Sequence, residues 1–323
     1  LNLGAYSANR SAAGGTLSVS NGAILQIGGT NTLPANYTTV TLGATSEVIY
    51  NGTAQTLSAQ NYGHLTTSGG TKVLAGNITV AGNLSVTSGT LNLGAYTANR
   101  SAAGGILSVS NGATLQIGGT NTLPANYATV TLGPTSTTSY NGTTQTVAGV
   151  TYGSLSLSGG TKTLAAPAVI AGDLSVASGA FDLGAYTADR SAAGGTLSVS
   201  DGAALRIGGT NTLPANYTAV TLGPTSTTAY NGAAQSVSGQ AYGHLSLSGG
   251  AKTLAGPAST AGDLTISAGA ALDVSPSNHA LTVSGNWSNS GVFTPQSGTV
   301  TFNGAAPQTL TGTSPAATPF HNL

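Results

Sequence analysis

The stretch LSVTSGTLNLG, Leu84 to Gly94, decides the fold. It matches LSVSNGAILQIG, Leu17 to Gly28, as an apolar-polar-apolar triplet, a glycine turn and a second triplet. Leu17 to Gly28 lies inside one copy of a longer repeat, whereas Leu84 to Gly94 straddles the joint between two copies. A pattern that ignores the joint does not mark a domain border. It reads instead as a rung of one stacked array.

The longer repeat is ninety residues. LNLGAYSANRSAAGG at Leu1 returns as LNLGAYTANRSAAGG at Leu91 and as FDLGAYTADRSAAGG at Phe181, without insertion or deletion. The copies are residues 1–90, 91–180 and 181–270, followed by a shortened, divergent copy over 271–323. Within each copy, triplets of Leu or Val, then Ser or Thr, then usually an apolar residue step by 23, 25, 19 and 23 residues, which closes the ninety. Such triplets, with two side chains in and one out, suit very short strands. Asn21-Gly22, Asn111-Gly112, Asp201-Gly202 and similar pairs read as turns needing positive φ. With 48 glycines and abundant Thr and Val, helix is disfavoured and strand favoured. The expectation is an all-β chain, a parallel β-solenoid of about 14 coils with about four coils per copy, forming one continuous rod.

A second run of strands keeps the same spacing through Leu91-Asn92-Leu93, Leu115-Gln116-Ile117, Thr138-Ser139-Tyr140, Lys162-Thr163-Leu164, Phe181-Asp182-Leu183 and Ala204 to Ile207. In it, Leu, Ile and Tyr are expected inward, and Asn, Gln, Lys, Asp and Arg outward or at corners. The looser GGTNTLPANY, Gly118 to Tyr127, is expected to form a third side or a bulged corner. The rival architecture is a string of Ig-like sandwiches, which ninety residues would suit. Against it, the one tryptophan, Trp287, lies outside the triplicated part, and no linker marks the joints.

Charged residues make up 4% of the 323, seven basic and seven acidic, for a net charge of zero. A nucleic acid or an anionic membrane would find no electrostatic footprint to hold. Gly, Ser, Thr and Asn interrupt the uncharged run from Ser101 to Thr161 too often for a membrane span. Cysteine is absent, which fits an extracellular array held by stacking and also fits many cytosolic chains. The chain starts and stops inside repeats and reads as an excerpt of a longer polypeptide.

Runs such as YNGTAQTLSAQNYGHLTTSGGTKVLAGNITVAGNLSV, from Tyr50, and ALTVSGNWSNSGVFTPQSGTVTFNGAAPQTLTG, from Ala280, resemble those of very large repetitive surface and secreted proteins of bacteria, akin to filamentous-haemagglutinin-type adhesins. The likeness covers nearly the whole chain and is one of repeat style. It implies a β-solenoid, export to the cell surface or medium, and a structural or adhesive role.

Catalytic signals are sparse. The histidines are His64, His244, His279 and His321, and the second copy carries Ser154 where the first and third carry His64 and His244. A general base that one copy discards reads better as a surface or corner residue. Asp173, Asp182, Asp189 and Asp201 replace Asn83, Asn92, Asn99 and Asn111 of earlier copies, an exchange that turn chemistry tolerates and an acid-base pair does not. Phosphate-binding, dinucleotide-binding and metal-binding motifs do not occur, so neither cofactor nor metal is expected.

The informative constellation is a row of hydroxyls. The middle residues of the triplets are Ser18, Thr41, Thr66, Ser85, Ser108, Thr131, Ser156, Ser175, Ser198, Thr221, Ser246, Thr265, Thr282 and Thr301. One coil apart, they would line one uncharged face at about 4.8 Å spacing, either as a solvated strand face or as a surface for packing or glycan contact. Tyr50, Tyr140 and Tyr230 end strands and are expected in the core, with Tyr62, Tyr152 and Tyr242 at a corner. The functional expectation is a non-enzymatic segment of an extracellular bacterial filament, sheath or stalk that self-associates. A cell-surface adhesin or glycan-binding module is the alternative, and a polysaccharide-active β-helix enzyme a further one.

Overall fold

A computed structural model describes residues 1–312 and 320–322; residues 313–319 and 323 of the last copy lie outside the described residues. The described residues form strands of two to six residues and no helix. They divide into two compact units, Leu1–Ser156 and Leu157–Leu323. Each unit is a parallel β-solenoid, with about 15 turns in the two together. The ninety-residue joints fall inside strands: Thr90–Asn92 contains the first and Ala180–Asp182 the second. Among the described residues no helix is long and apolar enough to cross a membrane.

Each turn has three sides. In the first unit one side stacks Ile24–Ile27, Glu47–Tyr50, His64–Thr67, Leu84–Val86, Gly104–Val109 and Tyr127–Leu132. A second stacks Gln55–Leu57, Thr71–Leu74, Thr90–Asn92, Thr114–Ile117 and Thr137–Tyr140. The third carries Thr16–Val19 with Thr39–Leu42, and Asn61–Tyr62 with Ile78–Val80 and Ala98–Arg100. Leu25, Val48, Leu65, Leu84 and Leu107 are ladder partners and are all at most 2% exposed. Burial of each such side chain contributes about 1.5–3 kcal/mol, and repetition at every turn makes the core one apolar stack.

Strand pairing refines the count of about four coils per copy. From Leu25 the ladder takes four turns to reach Leu107, and Thr114–Ile117, the copy of Ile24–Ile27, then falls on the next side. The second unit behaves alike: Leu174–Val176 pairs with Gly194–Val199, while its copy Leu264–Ile266 pairs with His244–Leu247 and Trp287–Asn289 in another sheet. A copy is therefore four turns plus one side. The 25-residue step from Val40 to Leu65 hides the difference, because it joins the move to the next side, at Val48, to a whole turn of 17 residues from Val48 to Leu65. The second run of strands is likewise divided: Leu91, Leu115 and Thr138 are partners in the first unit, and Lys162, Phe181 and Leu205 in the second.

The inward set also differs from expectation. Lys72, Lys162 and Lys252 point into the core and are at most 1% exposed, as are the six strand-ending and corner tyrosines. The lysines are tolerated because the corners present carbonyls. Lys72 Nζ donates to Gly52 O at 2.7 Å and to Gly70 O at 3.1 Å, and Lys252 Nζ donates to Gly232 O at 2.8 Å and Ala233 O at 3.1 Å. A buried ammonium with carbonyl partners avoids the cost of an unsatisfied charge. Burial alone still lowers the pKa of all three lysines.

Candidate functional site

All fourteen hydroxyl residues face outward, none of them buried. They do not form one row. Ser18 pairs with Thr41; Thr66, Ser85, Ser108 and Thr131 form a ladder on a different side of the first unit. Ser156 sits in Ser154–Leu157, the strand in which one unit ends and the other begins. In the second unit Ser175, Ser198 and Thr221 form one ladder, Ser246 and Thr265 another, and Thr282 and Thr301 a third. The division follows from the extra side in each copy, which moves every triplet to a new face. The longest ladder within one unit is thus Thr66 to Thr131, with Ser108 Oγ donating to Ser85 Oγ at 3.1 Å.

Next to that ladder stands Glu47, the chain's one glutamate, which the triplet pattern does not single out. Thr66 Oγ1 donates to its Oε1 at 2.7 Å. Its solitary charge in a nearly uncharged sequence was the available signal. The register partner of Glu47 is His64, whose Nδ1 accepts the backbone N–H of Asn83 at 3.0 Å. His244 repeats the corner bond, accepting from the Asp263 N–H at 2.9 Å, with an Asp263 carboxylate oxygen 3.7 Å away.

The Asn-to-Asp exchanges acquire a physical account. Asn83 Oδ1 accepts the N–H of Ile106, and Asp173 Oδ1 accepts that of Thr196. Asn99 serves Ala125 as Asp189 serves Ala215, Asn111 serves Thr135 as Asp201 serves Thr225, and Asn92 serves Gly94 as Asp182 serves Gly184. In these bonds the side chain acts as an acceptor, and a carboxylate accepts as well as an amide oxygen. Asp182 is a ladder partner of Arg206, so the two share an outward row one turn apart.

Inside the turns the tyrosines work in pairs. Tyr50 and Tyr62 join hydroxyl to hydroxyl at 3.2 Å, and Tyr62 OH donates to Ser58 O at 2.9 Å. Tyr140 with Tyr152 and Tyr230 with Tyr242 repeat the arrangement at 3.1 Å. Burial pushes the Tyr50 hydroxyl up to about 12, and raises those of Tyr62, Tyr140, Tyr152, Tyr230 and Tyr242 as well. These hydroxyls belong to the core. Among the described residues, no three of His, Asp and Glu gather as metal ligands would.

The class the geometry defines is the parallel β-solenoid with an outer surface of short hydroxyl ladders. No protein-family model matches the chain, and neither the curated proteins nor the solved structures give a match.

Proposed function

We propose that the chain is a structural segment of an extracellular bacterial filament, sheath or stalk. The observation that carries this reading is the stacking of parallel strands in both units, with Lys72 and the paired tyrosines hydrogen-bonded inside the turns. Backbone ladders along an axis give stiffness, and a nearly uncharged outer surface opposes close contact between copies only weakly. The hydroxyl ladder from Thr66 to Thr131 offers one such face for lateral packing.

Electron microscopy of the native cell-surface material, with antibody labelling, tests the reading. The expected result is labelled fibres outside the cell, with a fibre-diffraction reflection near 4.8 Å along the fibre axis. Label confined to the cell interior, or dispersed single particles, would overturn it. Within the fibre, Ser108→Lys combined with Thr131→Lys is expected to weaken lateral association while leaving the melting curve unchanged. Association equal to that of the parent removes this ladder from the packing surface.

A further inference from the structure

The outer face of the first unit carries a groove of about 330 Å3. Its floor is Glu47, His64, Thr66, Asn83 and Ser85, and Ile24, 49% exposed, lines one side. It lies over the shortest turns: ladder partners step 17 residues from Val48 to Leu65 and 19 from Leu65 to Leu84, against 23 from Leu25 to Val48 and from Leu84 to Leu107. Corner residues Gly22, Ala23 and Thr45 complete the lining.

The chemistry of the floor is specific. Glu47 spends one acceptor on the Thr66 hydroxyl and keeps the remaining capacity of a carboxylate. Because His64 Nδ1 accepts the Asn83 N–H, the proton of the neutral ring sits on Nε2, which makes that nitrogen a donor. The two residues stand on paired strands, about 4.8 Å apart. A carboxylate acceptor, an imidazole donor, a serine hydroxyl and an apolar wall therefore meet in one concavity.

The fold does not need the glutamate. The second and third copies carry Thr137 and Thr227 at its position, and Glu47 N donates to Ala23 O at 2.9 Å just as Thr137 N donates to Ala113 O at 2.9 Å. His64 is likewise dispensable, since the second copy has Ser154. Only the first copy holds both Glu47 and His64, so the groove is a local addition to the repeat.

We propose that this groove binds adjacent hydroxyls of a neutral glycan. Glu47 accepts from sugar hydroxyls, His64 Nε2–H donates to a sugar oxygen, and Ile24 supports the apolar face of a ring. Ligand pockets run from about 300 to 1,000 Å3, so the volume suits a short saccharide. Sulfated or uronic glycans are repelled by the carboxylate. An extended peptide finds no strand edge, because Glu47–Tyr50 and His64–Thr67 are already paired on both sides. The site stands independently of the structural role.

The test is titration calorimetry of the full chain against chitohexaose, cellohexaose and mannan, with heparin as the charged comparison. Glu47→Thr and His64→Ser put in place the side chains that the second copy already accommodates, so folding is expected to survive and is checked by circular dichroism. The expected result is binding of at least one neutral glycan, weakened tenfold or more by each substitution and unchanged by His244→Ser. The proposal is overturned if no neutral glycan binds at millimolar concentration, if heparin alone binds, or if both variants bind as the parent does.

Discussion

Two glycines with nearly the same backbone angle carry very different loads. Gly89 has φ +69°, and a Cβ built on it would lie 1.5 Å from the carbonyl oxygen of Gly69 in the turn below. Gly22 has φ +74° and nothing within 4 Å. Gly22→Ala therefore meets only the left-handed backbone penalty of about 1–2 kcal/mol, while Gly89→Ala must also push two turns apart. Urea unfolding should show a loss at Gly89 at least twice that at Gly22; equal losses would mean that the stacked corner yields freely. The opposite sign is expected at Thr138, whose buried hydroxyl finds no hydrogen-bond partner among the described residues. The first copy carries Val48 there, so Thr138→Val removes a desolvated hydroxyl from a site that already fits valine. A gain of about 1 kcal/mol is expected from the same unfolding measurement, and a loss would refute the account.

At the scale of the element, a buried polar side chain at a strand end ties the strand to the neighbouring corners. Gln55 is 2% exposed; its Oε1 accepts the Gly52 N–H at 2.7 Å, and its Nε2 donates to Ile27 O at 3.0 Å and Asn31 O at 2.9 Å. One side chain thus pins a turn, the strand below it and the irregular GGTNTLPANY side. Gln55→Leu leaves buried backbone groups without partners and is expected to cost about 2–4 kcal/mol. Hydrogen exchange should show the loosening concentrated at Gly52 and Asn31, and uniform protection loss would contradict this local role. The strands themselves were legible in the sequence, since the triplets alternate apolar and polar with little noise. Their assignment to sides was not, because the Leu84 triplet and the Leu17 triplet look alike yet occupy different sheets. By polarity lysine and glutamine read outward or at corners, and only backbone partners invisible in a sequence explain why Lys72 and Gln55 turn in: glycine carbonyls for the lysine, the Ile27 and Asn31 carbonyls for the glutamine. The candidate ladder was legible as a set of hydroxyls, whereas the groove over Glu47 and His64 depends on turn lengths that only the pairing reveals.

For the whole molecule, the buried ionisable groups set the response to alkali. An unfolded tyrosine ionises near pH 10.0, while Tyr50 in the fold is held up to about 12. Below pH 10 both states keep the proton; above it the unfolded chain releases protons that the folded chain retains, so stability falls as pH rises toward 12. The lysines oppose this: their folded pKa values lie below 10.5, so in the interval beneath 10.5 the unfolded chain holds more protons and stability rises with pH. Six buried tyrosines against three lysines make the fall dominate above pH 10. Urea midpoints measured at pH 8, 10 and 11.5 should be level or slightly rising, then sharply lower; a midpoint maintained at pH 11.5 would defeat the argument. The extra side in each copy reaches further still. Within a unit, gain or loss of a single ninety-residue copy would move the triplets that follow it to the next of the three sides. Gain or loss of three would return them to the side they left. Copy number in such a gene is therefore an angular setting as well as a length.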